Sequence, residues 1–180
     1  MKKSKAVIFV ILLIILDQIS KYFVRINLKD HEPITIIKNV FKLEYLENTG
    51  AAFGIFKNQI IFFILTTILV ILVIAYFYYK VPEDKKYLPL KIIMIFITAG
   101  ALGNLIDRVA FNYVTDFLYF ELINFPVFNV ADCYVTVSAF FLVILFIFYY
   151  KDEDLSFLSR KAPDSAILDE KAGTSSPKGK

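Results

Sequence analysis

The chain has 180 residues, of which 58% are hydrophobic and 17% aromatic, and its mean hydropathy is +0.63. This apolar excess excludes a water-soluble globule and a disordered chain, and it indicates an integral membrane protein. The net charge of +3 is small and dispersed, so no nucleic-acid partner is expected. A single cysteine and a single histidine leave no disulfide, no cysteine or histidine metal cluster and no obvious serine protease triad, so no metal and no cofactor are expected.

Four segments are long and apolar enough to cross a hydrocarbon core, which requires about 20 helical residues. They are residues 6–25, 60–79, 88–108 and 130–150. The first is similar to a signal peptide, but Asp17–Lys21 follows where a small-residue cleavage site would lie, so an uncleaved helix is expected. The predicted fold class is therefore an all-α membrane protein, a four-transmembrane-helix bundle forming a single domain over residues 1–150.

The distribution of lysine and arginine predicts the orientation of these spans. The N-terminus, the 80–91 loop and the 151–180 tail together contain 13 of these residues, and the 26–58 and 109–129 segments contain 4. Both termini should therefore face the cytoplasm, with the other two segments on the outer side.

Two short runs in the outer 26–58 segment have the composition of β-strands. They are Ile34–Ile37 and Phe41–Tyr45, and in the second the apolar residues alternate with charges. A small extracytoplasmic β-sheet lying on the membrane surface is therefore expected. The charged 151–180 tail, rich in Ser, Gly and Lys at its end, is predicted to be disordered and cytoplasmic.

The polar residues within and beside the spans all fall at one depth. An ionisable side chain inside a transmembrane helix costs at least ~2.5–3.5 kcal/mol, so each one requires a reason. The predicted topology brings to the outer membrane surface Asp17, Lys21, Asn48, Asn104, Asp107, Arg108, Asp116, Asn129 and Asp132. Such a coincidence favours a functional site at that surface.

Taken singly, these groups are more typical of structural features. Asp17 and Lys21, four residues apart, are typical of an intramembrane ion pair. Asp107–Arg108 alone is typical of an interfacial ion pair. Cys133 lies next to Asp132, but no histidine is near enough in sequence to activate it as a nucleophile.

A pair of aspartates accounts for the cluster better than these separate readings. Two neighbouring carboxyl groups share one proton, so one activates a water while the other protonates or polarises a carbonyl. From spacing alone, Asp107, Asp116 and Asp132 are all candidates for the pair. The alternatives are a small proton- or ion-coupled membrane carrier and a non-catalytic assembly subunit. A carrier needs polar groups through the whole membrane depth, whereas residues 70–79 and 140–150 are apolar or aromatic.

Five segments of the chain resemble, in order, the motifs of the lipoprotein signal peptidases, also called signal peptidase II. Together they span roughly residues 16 to 135. The segments are Asp17–Lys21, Asn48–Gly54, Ala99–Arg108, Val114–Phe117 and Phe125–Asp132.

The resemblance implies an aspartic endopeptidase of the bacterial cytoplasmic (inner) membrane. Such enzymes remove signal peptides from prolipoproteins by cutting just before a cysteine that bears a diacylglyceryl group. The implied partners are lipid-modified prolipoproteins and membrane lipid, and a monomer is expected. The catalytic pair maps onto Asp116 and Asp132. The implied supporting residues are Asp17, Lys21, Asn48, Gly50, Asn104, Asp107, Arg108 and Asn129.

Two features of the aspartate region depart from or refine this pattern. Asn112 stands where the family often has glycine, and asparagine also tolerates the left-handed conformation that a turn requires. The segment between Asp116 and Asp132 is slightly shorter than is usual in the family. Asp132 should begin a helix, whose N-terminus favours a carboxylate, so it is expected to be the base. Asp116, expected in a flexible outer loop, would be the proton donor.

Overall fold

The structure is a computed structural model, and it describes residues 3–50 and 59–158. Within these residues the main elements are four long helices and three strands. The helices are α1 (Lys3–Asn27), α2 (Ile60–Lys80), α3 (Leu88–Phe111) and α4 (Val130–Ile144), which a π-helical turn extends to Tyr149; the strands are β1 (Ile34–Ile37), β2 (Phe41–Asn48) and β3 (Val114–Tyr119).

Each of the four helical segments is long and apolar enough to span a membrane, and each covers most of a span predicted from the sequence. The predicted helix bundle with a small sheet is confirmed at this level. Helix α3 lies at the centre and contacts α1, α2 and α4. A Cβ atom at Gly100 would lie 2.5 Å from the carbonyl oxygen of Ala131, so glycine allows α3 and α4 to approach closely.

The strands form one antiparallel sheet in the order β1-β2-β3. It lies at the end of the bundle where α1 and α3 end and α4 begins, which we call the sheet end. The expectation of a flexible loop around Asp116 is wrong, because this residue lies within β3 and pairs with Leu46 of β2. Branched and aromatic residues such as Val114 and Phe117 favour a strand. Asn112 ends α3 with a φ of 63°, in the left-handed conformation expected for it.

A small apolar core holds β3 against the C-terminal end of α1. Val24 and Leu28, in and just after the last turn of α1, are buried against Phe117 of β3. Because side chains alternate across a strand, burying Phe117 on one face directs Asp116 to the other.

The opposite end of the bundle contains ordered residues that the sequence assigned to a disordered tail. Residues 151–158 form a short helical turn and fold back onto the α2–α3 connection. The ring of Tyr87 stacks on Tyr150 at 5.7 Å, and the Lys86 ammonium lies 2.6 Å from the Asp154 carboxylate. The expectation of disorder was wrong for these eight residues, because apolar and aromatic side chains provide them with a packing surface. Residues 159–180 lie outside the described part of the chain.

Candidate active site

A cavity of about 540 Å³ opens at the sheet end, between the ends of α3 and β2 and the start of α4. Six of the residues singled out in the sequence line it: Asn48, Gly50, Asn104, Arg108, Asp116 and Asp132. The rest of the wall is largely apolar and comes from the segment that precedes α4 and from the first turns of α4. Residues 51–54 of the Asn48–Gly54 motif lie outside the described residues.

Asp116 lines this cavity and is almost completely buried, with 1% of its surface exposed. Its two carboxylate oxygens each accept a hydrogen bond from an amide group, at 2.7 Å from Asn48 and 2.6 Å from Asn129. Burial, followed by the nearby negative charge of Asp132, raises the pKa of Asp116 to about 7. This carboxyl group therefore exchanges a proton near neutral pH, as a general acid must.

Asp132 is held by the beginning of α4. The backbone N–H of Asp132 donates a hydrogen bond to the side-chain oxygen of Asn129 at 3.0 Å. In return, the backbone N–H of Asn129 donates one to the Asp132 carboxylate at 3.1 Å. This reciprocal cap places the carboxylate at the positive end of the helix dipole. The other oxygen of Asp132 accepts the amide of Asn104 at 2.8 Å. The sequence-based expectation of a helix start at this aspartate agrees with this geometry.

Asn129 links the two aspartates. Its side-chain oxygen accepts the N–H of Asp132, so its amide nitrogen must face the other way, toward Asp116 and Asn104. The side chain is fully buried and cannot exchange these partners for water. Among the three candidates, Asp116 and Asp132 are therefore the carboxyl groups that share one hydrogen-bonded unit on the cavity.

Asp17, Lys21 and Asp107 lie behind the cavity wall, where none of their surface is exposed. The Lys21 ammonium is 3.0 Å from Asp17 and 3.5 Å from Asp107. Asp107 and Arg108, taken alone, were typical of an interfacial ion pair. In the structure Asp107 instead pairs with Lys21 of α1. Adjacent residues of a helix point about 100° apart, so Asp107 faces α1 while Arg108 faces the cavity. The Arg108 guanidinium lies over the ring of Phe63, 5.0 Å from its centre.

Three residues of the site region were not identified from the sequence. Gln18 donates to both Asp17 and Asp107, at 3.1 and 3.2 Å, and Arg25 donates to the Thr115 hydroxyl at 3.0 Å. Arg25 follows Lys21 by four residues, so extending the i, i+4 spacing by one turn would have found it. Thr115 carries no such signal, because only the fold places it beside α1.

The arrangement provides a buried acid and a helix-capped carboxylate on one cavity, the two components that hydrolysis by an aspartate pair requires. It also provides a guanidinium and an apolar wall. This arrangement can therefore activate a water molecule between two carboxyl groups beside an apolar surface.

Comparison with known proteins agrees with this description. The sequence model of the signal peptidase (SPase) II family matches residues 9–148. A lipoprotein signal peptidase of Clostridioides difficile (strain 630) is 43% identical over 143 residues, which cover 79% of this chain and 95% of that relative. Another, from Streptococcus thermophilus (strain CNRZ 1066), is 40% identical over 145 residues, which cover 81% of this chain and 94% of the relative. A bacterial membrane enzyme solved by the in meso method at 1.9 Å is similar in fold, with a TM-score of 0.72 and 27% identity over 82% of this chain and 96% of its own.

Proposed function

We propose a mechanism from the premise that this chain belongs to the signal peptidase II family. The family relationship supports cleavage of signal peptides from prolipoproteins by a multi-pass membrane protease. The proposal adds that the protease is an aspartic endopeptidase and that it cuts just before the lipid-modified cysteine. The observation that carries it is that one buried side chain, Asn129, hydrogen bonds to both Asp116 and Asp132 beside the cavity.

In the proposed reaction, Asp132 is the base and Asp116 the acid. Asp132 removes a proton from a water molecule, whose oxygen attacks the scissile carbonyl carbon while Asp116 protonates the carbonyl oxygen. The Asp116 carboxylate then takes back a proton from one hydroxyl of the resulting gem-diol as the C=O bond re-forms. The carbon–nitrogen bond breaks, and the nitrogen leaves with the proton that Asp132 had taken from the water, so both aspartates return to their starting states. The helix cap favours the charged form of Asp132, and the pKa of about 7 at Asp116 suits a proton donor.

The proposed location is the outer face of the bacterial inner membrane, with both termini in the cytoplasm. The excess of lysine and arginine in the N-terminus, the 80–91 loop and the tail supports this orientation. A site at that depth would receive the scissile bond while the acyl chains of the substrate remain in the bilayer. The lipid would then provide part of the binding without being extracted from the membrane.

Labelling of introduced cysteines tests the orientation. Lys29→Cys and Asn112→Cys, each in a Cys133→Ser background, should react with an impermeant thiol reagent applied to the outer side of intact cells. Both positions are accessible in the structure. Labelling that occurs only after lysis would reverse the orientation and move the site to the cytoplasmic face.

Cleavage of matched precursors tests the function. Purified protein in detergent is incubated with a prolipoprotein that carries the diacylglyceryl group and with the same precursor lacking it. The lipid-modified form should be cut far faster, and mass spectrometry should place the new N-terminus at the modified cysteine. Equal rates for the two precursors, or a cut elsewhere, would refute the proposed specificity. The Asp116→Asn protein is the control for contaminating proteases.

A further inference from the structure

We infer that the buried cluster of Asp17, Lys21 and Asp107 is a positioning device that sets the separation of the two catalytic aspartates. The inference rests on the proposed function, because it assigns the cluster to the reaction that Asp116 and Asp132 would perform. The three cluster residues make no surface of the cavity, so their influence would act through the groups that they hold.

Asp107 holds the strand that carries the acid. One of its carboxylate oxygens accepts the backbone N–H of Thr115 at 2.9 Å, and Thr115 directly precedes Asp116. Both groups are fully buried, so water does not compete for this hydrogen bond. The position of the peptide unit before Asp116 is therefore tied to helix α3.

Asp17 holds the helix that carries the base in the same way. One of its oxygens accepts the backbone N–H of Ala131 at 3.0 Å, and Ala131 directly precedes Asp132. A Cβ atom at position 103 would lie 2.5 Å from the other oxygen of Asp17, so Gly103 makes room for this carboxylate. Each catalytic aspartate thus follows a peptide N–H that is held by a buried carboxylate.

Lys21 joins these two carboxylates to each other and to the site. Its ammonium lies 3.0 Å from Asp17 and 3.5 Å from Asp107, and it donates to the side-chain oxygen of Asn104 at 2.8 Å. Because a lysine ammonium has no acceptor, Asn104 must present its oxygen to Lys21 and its amide nitrogen to Asp132. Lys21 therefore holds the two carboxylates that bind the peptide N–H groups before Asp116 and Asp132. It also fixes the orientation of the Asn104 amide that donates to Asp132.

A purely structural cluster is the competing interpretation. Burying ions costs free energy that their mutual attraction does not reliably return, so a buried ion cluster is weak evidence of a role in stability alone. The two interpretations differ in one observable. Loss of a structural cluster lowers the fraction of folded protein, whereas loss of a positioning device also lowers the turnover of each folded molecule. A displacement of about 1 Å is enough to reduce a rate on the order of a hundredfold.

The chain provides a matched control at its opposite end. Lys91 is also buried in a membrane-spanning helix and pairs with Glu83 at 3.2 Å, away from the cavity. The test compares two charge-balanced double variants, Asp17→Asn/Lys21→Met and Glu83→Gln/Lys91→Met. Each removes one buried cation together with one carboxylate, so the net charge does not change. Asp107, the second carboxylate beside Lys21, keeps the Arg25 guanidinium at 3.8 Å. Asparagine at position 17 can still accept the Ala131 N–H.

The measurements are kcat and KM per folded molecule with the lipid-modified precursor. The Asp17→Asn/Lys21→Met protein should lose kcat about a hundredfold, with KM changed less than about threefold. The Glu83→Gln/Lys91→Met protein should keep the wild-type kcat even if its melting temperature falls. Equal kcat values for the two folded variants would overturn the inference. A wild-type protein that fails to cut would instead refute the proposed function.

Substitution of Asp107 provides a second measurement that does not depend on Lys21 variants folding. Asp107→Asn retains an oxygen that can accept the Thr115 N–H, and Asp107→Leu removes it. The asparagine variant should keep most of the wild-type kcat and the leucine variant should lose most of it. A folded leucine variant with the wild-type kcat and the wild-type pH profile would show that Asp107 has no positioning role. If the leucine variant does not fold, equal kcat values for the two folded double variants overturn the inference, and a loss of kcat confined to Asp17→Asn/Lys21→Met supports it.

Discussion

The two ends of the helix bundle each contain a lysine buried in a membrane-spanning helix, but the carboxylates that pair with these two lysines differ in burial. Lys21 has Asp17, Asp107 and the Asn104 amide around it, and the two carboxylates are themselves fully buried. Lys91 has the carboxylate of Glu83, a residue whose side chain is 62% exposed. Lys21 and Lys91 are therefore equally buried, but we expect them to have different roles. An exposed partner serves to neutralise a charge, whereas several buried partners also fix geometry, as a reaction requires.

The ordered segment at the opposite end completes the contrast. Tyr87, Tyr150 and Phe157 pack their rings together, and Lys86 pairs with Asp154. These contacts attach residues 151–158 to the α2–α3 connection. They should contribute to stability and leave the reaction unchanged.

The largest effect on turnover is expected for a substitution of Asp132 at the sheet end. Asp132→Asn should reduce turnover by at least about 10³-fold, because it removes the proposed base. The protein should still fold and bind substrate, since asparagine retains the size and removes a buried charge. Single-turnover cleavage with a gel-shift readout measures the rate.

The Asp116→Asn/Asp132→Asn double variant tests whether the two aspartates act together. The double variant should be little worse than either single variant, because groups that act together on one water are non-additive. Rates that fall in proportion to the two separate losses would show that the aspartates act independently.

The next effect is on pH dependence. Asp116 has a pKa near 7, and a proton donor must be neutral, so cleavage should fall about tenfold for each pH unit above 7. Asn48 donates a hydrogen bond that favours the charged form of Asp116 and lowers its pKa. Asn48→Ala should therefore move the alkaline limb of the normalised pH–rate profile to higher pH. A limb that moves to lower pH, or stays in place, contradicts the assignment of Asp116 as the acid.

A smaller effect is expected at the opposite end. Tyr87→Ala removes the ring contacts with Tyr150 and Phe157 and the hydroxyl donor to the Asp154 carbonyl at 2.9 Å. The free energy of unfolding should fall on the order of 1–3 kcal/mol, with kcat per folded molecule unchanged. Thermal unfolding and single-turnover cleavage measure the two quantities, with Tyr87→Phe as the control that retains the rings. A large loss of kcat would show that the two ends are coupled.

The smallest effect is expected for the exposed pair of Lys29 and Glu47, whose charged atoms are 3.0 Å apart. Solvent and salt screen such pairs. Lys29→Ala should leave both the melting temperature and kcat unchanged within error. A clear fall in kcat would indicate that substrate contacts this part of the sheet.

The sequence predicted the spans and the first two strands because hydrophobic length and alternation are local properties. It did not predict β3, since the strand is short, carries an aspartate and is stabilised by pairing with β2, about 70 residues earlier. The ordered 151–158 segment was missed for a similar reason, because its packing surface comes from Tyr87 and its neighbours.

The polar residues of the site were identified from their common depth and from the resemblance to a family. The sequence did not predict that some of them line the cavity while others lie behind its wall. Asp17 and Lys21 were grouped with residues such as Asn48 and Arg108, but the structure places them behind the cavity wall that those residues line. Only the packing of α1 against α3 determines which side of α3 each polar residue faces. Spacing along one helix does not contain that information.

The most direct test of the account compares Asp116→Asn with Asp107→Asn under identical single-turnover conditions. Asp116→Asn should show no detectable cleavage of the lipid-modified precursor. Asp107→Asn, which can still accept the Thr115 N–H, should stay within about tenfold of the wild-type rate. The opposite result, near-normal cleavage by Asp116→Asn and none by Asp107→Asn, would make Asp107 and Asp132 the catalytic pair and contradict the account at its centre.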